Sequence, residues 1–364
     1  MSGIFEYTYT VQSGQAVAVR SGSALWRAQL TDLALRRPAV LCVVDSGVWS
    51  SHQAAIQSWA DECANVRVHV VPAGEASKNR HEKQRIEDAA FAAGLGRDGL
   101  IIAIGGGMVG DLAGFAAATY MRGVAFVQVP TTIVSMVDSS IGGKTGIDVP
   151  QGKNLIGAFK HPVQIVTDLD WLASLPDREY RDGFAEVIKH GAILDEELIQ
   201  YLEANVEAYR ARDRAFLERV IPWNQKIKID VVVADTEEKG QRKLLNFGHT
   251  LGHAIELLAK FELSHGVCVA AGMVLEARVG ESLGISEYGT EARLRALLRA
   301  YGFEPGELVC PFPILSVIHA THTDKKKQGG HIHYVLLERV GTSAFAERGY
   351  SHAVADDDIR NIFS

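Results

Sequence analysis

The sequence predicts an α/β N-terminal domain with a largely parallel sheet, followed by a mainly α-helical C-terminal domain. Short apolar β-branched runs alternate with helical patterns in the first half, whereas long amphipathic stretches dominate the second. The pattern of apolar residues changes near Leu175 and Pro176. We therefore place the domains at residues 1–176 and 177–364, and we expect the functional site in the cleft between them.

In the N-terminal domain, buried strands and helices follow one another. Apolar runs of strand length are separated by segments whose apolar residues recur at helical spacing. The expected strands are Val40–Asp45, Val66–Val71, Leu100–Ile104, Val124–Val129 and Gln164–Asp168. The expected helices are Ser51–Glu62, Asn79–Gly94 and Gly110–Tyr120.

In the C-terminal domain, strand signals nearly vanish before a run at His331–Leu337. The remaining apolar residues recur with the period of an amphipathic helix. The expected helices are Asp195–Arg210, Arg214–Asp235, His249–Leu258, Val267–Leu283 and Glu291–Tyr301.

Composition excludes several classes of protein. The chain has 364 residues, 47% hydrophobic and 22% charged, which suits a globular protein of two domains. A net charge of −7, with no basic block longer than Lys325–Lys327, argues against a nucleic-acid partner. No apolar run reaches membrane-spanning length, and the N-terminus lacks the pattern of a signal peptide. The 4 dispersed cysteines are typical of reduced thiols, so we expect a cytoplasmic protein.

The segment LIIAIGGGMVGDLAGF predicts a strand, a glycine turn and a helix. The spacing of Gly105, Gly107 and Gly110 matches a dinucleotide fingerprint, in which glycines admit a pyrophosphate to the helix N-terminus. No acidic residue follows at the usual distance for binding ribose. Asp45, at the end of an earlier strand, is the better candidate, although an aspartate there often caps a helix. The turn therefore predicts a dinucleotide site on a differently wound sheet.

Histidines and a glutamate form a candidate metal set. In NFGHTLGHAIE, His249 and His253 share one helix face, and His265 follows in SHGVCVAAGM. Upstream, FAEVIKHG presents Glu186 and Lys189 on one helical turn. A glutamate and two histidines with an open position suit catalytic zinc. Spacing alone does not decide which two histidines are ligands.

Basic residues recur beside glycine, asparagine and threonine, which is typical of sites that hold anions. We expect the lysines of VDSSIGGKTGID and PQGKNLIG to lie in loops where backbone N–H groups converge on a ligand. The full basic set is Arg122, Lys144, Lys153, Lys228, Arg242 and Lys325–Lys327, and it predicts a polyanionic ligand.

Several segments together resemble dehydroquinate synthase, a family of sugar phosphate cyclases. GGGMVGDLAGFAAATYMRG, VPTTIVSMVDSSIGGKTGID, GKNLIGAF, LPDREYRDGFAEVIKHG and RKLLNFGHTLGHAIE match it in the same order. PAGEASK, HGVCVAAGM and DKKKQGG match more loosely. The resemblance implies a lyase of the shikimate pathway that converts 3-deoxy-arabino-heptulosonate 7-phosphate to 3-dehydroquinate and phosphate. It also implies catalytic NAD, Zn²⁺ or Co²⁺, and a homodimer.

The resemblance assigns roles to individual residues, with NAD bound by the first domain and the metal and substrate by the second. The metal ligands are Glu186, His249 and His265, and the catalytic residues are His253, Lys144, Lys189, Asn246 and Arg242. The NAD contacts are Asp45, Glu75, Lys78, Gly106, Gly107, Met108, Asp111, Thr131, Thr132, Asp138, Lys144 and Lys153. The substrate contacts are Arg122 (from the neighbouring subunit), Asp138, Lys144, Asn154, Lys189, Lys228, Arg242, Asn246, His253, Lys325 and Lys326.

Other functions stay open at this point. Cyclases of sedoheptulose 7-phosphate generally replace residues that this chain keeps in Gly142–Thr145, Asn246 and His253, whereas an aminodehydroquinate synthase keeps them all. Metal-dependent alcohol and glycerol dehydrogenases share the fold but need no lysine cluster. A non-catalytic binding protein has no reason to retain the metal set and Lys144 together. Departures from the family pattern occur in Val149–Asn154, in His265–Val269 and at His161.

Overall fold

The computed structural model describes residues 4–260, 262–322, 327–328 and 331–363. The chain divides into two compact units, Met1–Pro176 and Asp177–Ser364. We call them the N-terminal and the C-terminal unit. Among the described residues, no helix is long and apolar enough to cross a bilayer.

The N-terminal unit is built on a seven-stranded sheet. Its strands and an adjoining hairpin are β1 (Phe5–Thr10), β2 (Ala16–Gly22), β3 (Val40–Asp45), β4 (Val66–Val71), β5 (Leu100–Gly105), β6 (Ala125–Pro130), β7 (Lys144–Val149), β8 (Gly152–Phe159) and β9 (Gln164–Asp168). The sheet order is β1-β2-β9-β6-β5-β3-β4. Within this sheet, as far as the structure describes it, only the edge pair β1–β2 is antiparallel.

The helices of this unit are α1 (Trp26–Leu35), α2 (Ser46–Glu62), α3 (Arg80–Ala92) and α4 (Gly107–Thr119). Strand β5 is buried along its whole length, as expected for a parallel strand covered by helices on both faces. The predicted strands are confirmed, and the one at Val124–Val129 is shifted by a single residue. Helix α2 begins at Ser46 rather than Ser51 because the Asp45 side chain caps it, accepting from the Gly47 N–H at 2.7 Å.

The strand order reverses beside β3. Strand β4 lies on one side of β3, and β5 lies on the other, with β6 beyond it. In open parallel sheets, ligands bind at the carboxyl ends of strands where the order reverses. The carboxyl ends of β3 and β5 are Asp45 and Gly105, the residues that the sequence also singles out.

The sequence predicts loops around Lys144 and Lys153, but both lysines lie on the strands of a β-hairpin, so the prediction of loops is wrong. Strand β7 pairs antiparallel with β8, with Lys144 opposite Phe159 and Gly146 opposite Gly157. A Cβ on Gly157 would lie 2.1 Å from the Thr145 carbonyl oxygen, so glycine is needed for the backbones to approach. These glycines therefore serve strand packing.

The C-terminal unit is mainly helical, as predicted. Its helices are α5 (Asp177–Leu194), α6 (Glu196–Ala204), α7 (Val206–Arg210), α8 (Arg214–Ala234), α9 (His249–Leu258), α10 (His265–Ser282), α11 (Thr290–Ala300), α12 (Ile314–Thr321) and α13 (Asp356–Phe363). Its short strands are β10 (Lys327–Gln328), β11 (His331–Tyr334), β12 (Leu337–Arg339), β13 (Thr342–Ser343) and β14 (His352–Val354). Strands β10, β11 and β14 form one antiparallel sheet, and β12 pairs with β13.

Two elements predicted as continuous in this unit are interrupted, and other helix ends differ from the predictions by one or two residues. The helix expected over Asp195–Arg210 is interrupted at Asn205, where the backbone leaves helical geometry and the side-chain amide donates to the Tyr201 carbonyl. The strand expected over His331–Leu337 ends at Tyr334, and a second strand starts at Leu337. In both places the apolar pattern continues across a backbone break, so periodicity alone merged two elements.

Candidate functional site

Helices α9 and α10 touch backbone to backbone in the C-terminal unit. A Cβ on Gly272 would lie 1.8 Å from the Gly248 carbonyl oxygen, and one on Gly252 would lie 2.8 Å from the Cys268 carbonyl. Gly248 itself has φ +76°, a conformation that glycine adopts without strain. This contact brings His249, at the start of α9, near α10.

A similar contact joins α10 to α5. A Cβ on Gly266 would lie 2.3 Å from the Asp182 carbonyl oxygen. Gly266 follows His265 in the chain, and Asp182 lies one turn before Glu186 on α5. The absence of a side chain at this one position therefore lets His265 approach Glu186.

The three predicted metal ligands meet in space. Glu186 Oε1 lies 3.2 Å from His265 Nε2 and 3.4 Å from His249 Nε2. One ligand atom from each side chain lies within 4.8 Å of the others. Glu186 is fully buried, and its second oxygen forms an ion pair with Lys189. One carboxylate and two imidazoles around a common point suit a divalent metal with an open position.

In both histidines of this set, an acceptor lies beside the other ring nitrogen. His249 Nδ1 lies 3.0 Å from the Phe247 carbonyl oxygen, and His265 Nδ1 lies 3.5 Å from Glu256 Oε2. A carbonyl oxygen only accepts, so Nδ1 of His249 carries the proton and Nε2 keeps its lone pair. Metal-binding histidines are commonly oriented in this way.

The protonation of the metal-free set follows from its charges. Burial and the Lys189 ammonium lower the pKa of His249 to about 3, so this imidazole is neutral. Although burial opposes it, the carboxylates of Glu186 and Glu256 raise the pKa of His265 to about 10. Burial would raise the pKa of Glu186, but Lys189 and the histidines hold it well below its usual range. A metal ion held by Glu186, His249 and His265 would require His265 to lose its proton.

His253 lies beside the ligand set. Its ring centroid is 5.1 Å from that of His249 and 6.0 Å from that of His265. His253, Glu256 and His265 form a second group with metal-ligand spacing, which shares His265 with the first. Among groups of described residues in the C-terminal unit that contain His265, geometry alone thus keeps two overlapping sets, and the orientation of His249 favours the set of Glu186, His249 and His265.

Buried cations are concentrated in the same unit. Lys189 is 1% exposed, Arg242 is 2% exposed and Lys228 is 6% exposed. They lie on α5, on the 3₁₀ helix Gln241–Asn246 and on α8, and these elements pack against one another. Three cations on adjoining elements make this part of the unit strongly positive, which suits an anionic ligand. Arg242 also donates to the Thr236 carbonyl, and Asn246 donates to Glu238.

In the N-terminal unit, the glycine turn joins β5 to α4. Gly106 precedes α4, and no side chain caps this helix within the described residues, so its first N–H groups are available for an anion. A Cβ on Gly107 would lie 2.8 Å from Ser139 Oγ, and one on Gly110 would lie 2.5 Å from Gln128 Oε1. Met108 occupies the first turn of the same helix and is half-buried.

Polar residues surround this turn at the strand ends. Thr131 follows β6 and donates its N–H to the Gly105 carbonyl at 3.0 Å. The Thr132 hydroxyl contacts Ser135, and its methyl group lies near Gly106. A Cβ on Gly105 would lie 3.1 Å from the Cβ of Asp45, so β3 and β5 are in close contact there.

An ion-pair group lies near the start of α4. Lys78, which is 4% exposed, contacts Asp111 Oδ2 at 2.7 Å and Glu75 Oε1 at 3.8 Å. Burial opposes the charge, but Asp111 and Glu75 raise the pKa of Lys78. Three of the residues that the resemblance assigns to NAD therefore form one connected group.

The remaining predicted residues of this unit are more exposed. Arg122 is exposed with φ +67°, directly after Met121 with φ +50°, so the backbone there is strained. Asp138 lies in the π-helical turn Ser135–Ser139, which is half-buried at this residue. Lys144 begins β7, while Lys153 and Asn154 lie on β8, where Asn154 has φ +54°.

Two predicted substrate contacts of the C-terminal unit, Lys325 and Lys326, lie outside the described residues.

Sequence reasoning missed two buried glutamates of the C-terminal unit. Glu256 contacts His265, and Glu276 accepts from the N–H groups of Gly248 and Leu251. Glu276 lies in an apolar stretch of α10 and is 0% exposed. An acid within such a stretch is the signal that could have identified it, since buried charges need partners.

Comparison with known proteins gives consistent matches. The model for the N-terminal part of 3-dehydroquinate synthase matches residues 68–182, and the model for its C-terminal part matches residues 183–327. The 3-dehydroquinate synthase of Symbiobacterium thermophilum is 44% identical over 92% of this chain and 93% of its own. That of Geobacter metallireducens is 47% identical over 74% of this chain and 75% of its own.

A solved structure shares the fold. A 2-deoxy-scyllo-inosose synthase, crystallised with carbaglucose-6-phosphate, NAD⁺ and Co²⁺, superimposes with a TM-score of 0.89. The alignment covers 98% of this chain and 99% of that one, at 24% identity. At this identity the likeness supports the shared architecture.

Proposed function

The chain belongs to the 3-dehydroquinate synthase family, and on that premise we propose that it converts 3-deoxy-arabino-heptulosonate 7-phosphate to 3-dehydroquinate and phosphate. It acts as an NAD- and metal-dependent sugar phosphate cyclase of the shikimate pathway. The observation that carries the proposal is the meeting of Glu186, His249 and His265 around one point in the C-terminal unit.

The donor set fits Zn²⁺ or Co²⁺. Glu186 Oε1 and the Nε2 atoms of His249 and His265 would hold the metal and leave room for an exchangeable ligand. The Nδ1 contacts to Phe247 and Glu256 support this choice over the overlapping group. His253 is then left to bind the substrate or to move a proton.

The N-terminal unit fits NAD. The uncapped start of α4 receives the pyrophosphate, because Gly106, Gly107 and Met108 present backbone N–H groups there. Asp45, at the reversal of strand order, receives a ribose. The other proposed contacts are Glu75, Lys78, Asp111, Thr131, Thr132, Asp138, Lys144 and Lys153.

When bound, NAD would supply a reversible hydride acceptor, and the metal would supply a Lewis acid for a substrate hydroxyl. The protein's own side chains hold the substrate. In the C-terminal unit, buried Lys189, Lys228 and Arg242 bind its phosphate and carboxylate and fix its position. Asn246 and His253 hold its hydroxyl groups. Asp138, Lys144, Asn154, Lys325 and Lys326 keep the substrate roles that family membership gives them.

We also propose a cytoplasmic homodimer in which Arg122 reaches the substrate phosphate of the neighbouring subunit. Arg122 is exposed on a strained turn, and such turns often serve ligand binding. Mixing inactive Arg122→Ala and His249→Ala proteins should restore activity, because a mixed dimer holds one intact site. No recovery despite proven subunit exchange would contradict the shared site.

The test is turnover of purified protein. We expect phosphate and dehydroquinate in equal amounts from 3-deoxy-arabino-heptulosonate 7-phosphate, with catalytic NAD and Zn²⁺ or Co²⁺ and no net NADH. A chelator should abolish this activity, and added metal should restore it.

Two other substrates serve as controls in the same assay. Turnover of sedoheptulose 7-phosphate alone would make the chain a cyclase of secondary metabolism. Accumulation of NADH from simple alcohols or glycerol, without phosphate release, would make it a dehydrogenase.

A further inference from the structure

Glu276 on α10 binds the first turn of α9 with both carboxyl oxygens. Oε2 accepts from the Gly248 N–H at 2.7 Å, and Oε1 accepts from the Leu251 N–H at 3.0 Å. Glu276 is 0% exposed. Gly248 begins α9 without a side-chain cap of its own, so a residue of another helix supplies the cap.

The peptide group between Phe247 and Gly248 links this cap to the proposed metal set. Its N–H donates to Glu276, and its carbonyl accepts from His249 Nδ1 at 3.0 Å. Because a peptide group is planar and rigid, fixing the N–H also fixes the direction of the carbonyl. That carbonyl in turn keeps the proton on Nδ1 of His249 and leaves Nε2 for a ligand.

We propose that Glu276 is a positioning residue of the metal site: through the Phe247–Gly248 peptide it sets the orientation and tautomer of His249. The two hydrogen bonds on either side of His249 also hold the first turn of α9 against α10. Glu276 is not one of the residues proposed to bind the metal or the substrate. The inference rests on the proposed function for the identity of the metal ligands.

The chain offers a matched control. Asp168, in the N-terminal unit, is also 0% exposed and caps another element, since its Oδ2 accepts from the Leu25 and Trp26 N–H groups at 2.6 and 2.9 Å. It has no assigned role in binding or catalysis. Replacing either carboxylate by an amide removes an acceptor from a buried cap, but only Glu276 is linked to His249.

The experiment titrates Co²⁺ into metal-stripped full-length protein and follows the visible absorption of the bound ion. We expect Glu276→Gln to weaken Co²⁺ binding about tenfold, and Glu276→Ala to weaken it up to about a hundredfold. Both should alter the cobalt spectrum, because the geometry of His249 changes. Asp168→Asn should lower the melting temperature while changing Co²⁺ affinity less than about twofold.

The outcomes separate a positioning role from a purely structural one. Equal losses of melting temperature in Glu276→Gln and Asp168→Asn, with wild-type cobalt affinity and spectrum in both, would overturn the proposal. If Glu276→Ala does not fold, Glu276→Gln decides. If the wild type binds Co²⁺ but turns over no heptulosonate, the proposed function fails while cobalt affinity still decides the role of Glu276. If the wild type binds no Co²⁺, both fail.

Discussion

The candidate sites of the two units are formed by different chemical groups, mainly backbone in one and side chains in the other. In the N-terminal unit, the site consists of backbone at the ends of parallel strands, with Gly105–Gly107 after β5 and Thr131 after β6. In the C-terminal unit, it consists of buried side chains on helices whose backbones touch, such as Glu186 on α5 and His249 on α9. A contiguous motif therefore specifies the glycine turn of the first site, whereas the second site depends on packing between distant segments.

The largest expected effect tests whether the C-terminal site depends on single side chains. His249→Ala should abolish Co²⁺ binding and lower turnover on the order of 10³-fold, because a metal supplies several kcal/mol to such reactions. NAD affinity should be unchanged. Metal content, turnover and NAD titration measure the three quantities.

His253→Ala is the companion variant. It should retain Co²⁺ while losing turnover, because His253 lies beside the proposed ligands without belonging to them. Loss of Co²⁺ in His253→Ala, with retention in His249→Ala, would instead assign the metal to His253, Glu256 and His265.

The next effect tests the contact between helices α9 and α10. Gly272→Ala places a Cβ 1.8 Å from the Gly248 carbonyl oxygen, so we expect a loss of about 3 kcal/mol in the free energy of unfolding. Gly306→Ala is the control, since no atom lies within 4 Å of its added Cβ. Denaturant unfolding measures the stability of both variants. Equal stabilities would show that α9 and α10 can move apart to accept the added Cβ at no cost.

A smaller effect concerns alkaline pH and the C-terminal unit. Burial raises the pKa of Tyr209 to about 12, although Arg181 and Arg212 oppose the shift. Tyr209 is neutral when folded and ionises from about pH 10 when unfolded, so its contribution to stability is lost as pH rises from 10 towards 12. Each unit of difference between the folded and unfolded pKa corresponds to about 1.4 kcal/mol in the free energy of unfolding.

Thermal unfolding at several pH values tests this prediction. Tyr209→Phe should reduce the loss of stability between about pH 10 and 12. Tyr288→Phe, at a fully exposed position, should leave that loss unchanged. The same fall in both variants would show that Tyr209 does not cause it.

The smallest expected effect tests the strand-end site. Gly105→Ala places a Cβ 2.9 Å from that of Val109 and 3.1 Å from that of Asp45. We expect about tenfold weaker NAD binding, because crowding where the strand order reverses should cost about 1.4 kcal/mol of binding free energy. Co²⁺ affinity should not change. Fluorescence titration with NAD measures the effect, and unchanged NAD affinity would move the nucleotide away from this turn.

Local patterns in the sequence predicted most of the N-terminal sheet. The strands Val40–Asp45, Val66–Val71 and Gln164–Asp168 have the predicted bounds, because buried parallel strands are short runs of apolar residues. The hairpin of β7 and β8 was missed, because its glycines were interpreted as parts of anion-binding loops. Only the pairing of Gly146 with Gly157 reveals their role in packing.

The sequence by itself determined the fold class, the glycine turn and, through family resemblance, the set Glu186, His249 and His265. Those features are local or are carried by short motifs. Only the tertiary structure decided which nitrogen of His249 faces Glu186, and that Glu276 caps α9. Hydrogen bonds and close approaches between α5, α9 and α10 join residues far apart in the chain, and no local periodicity records them.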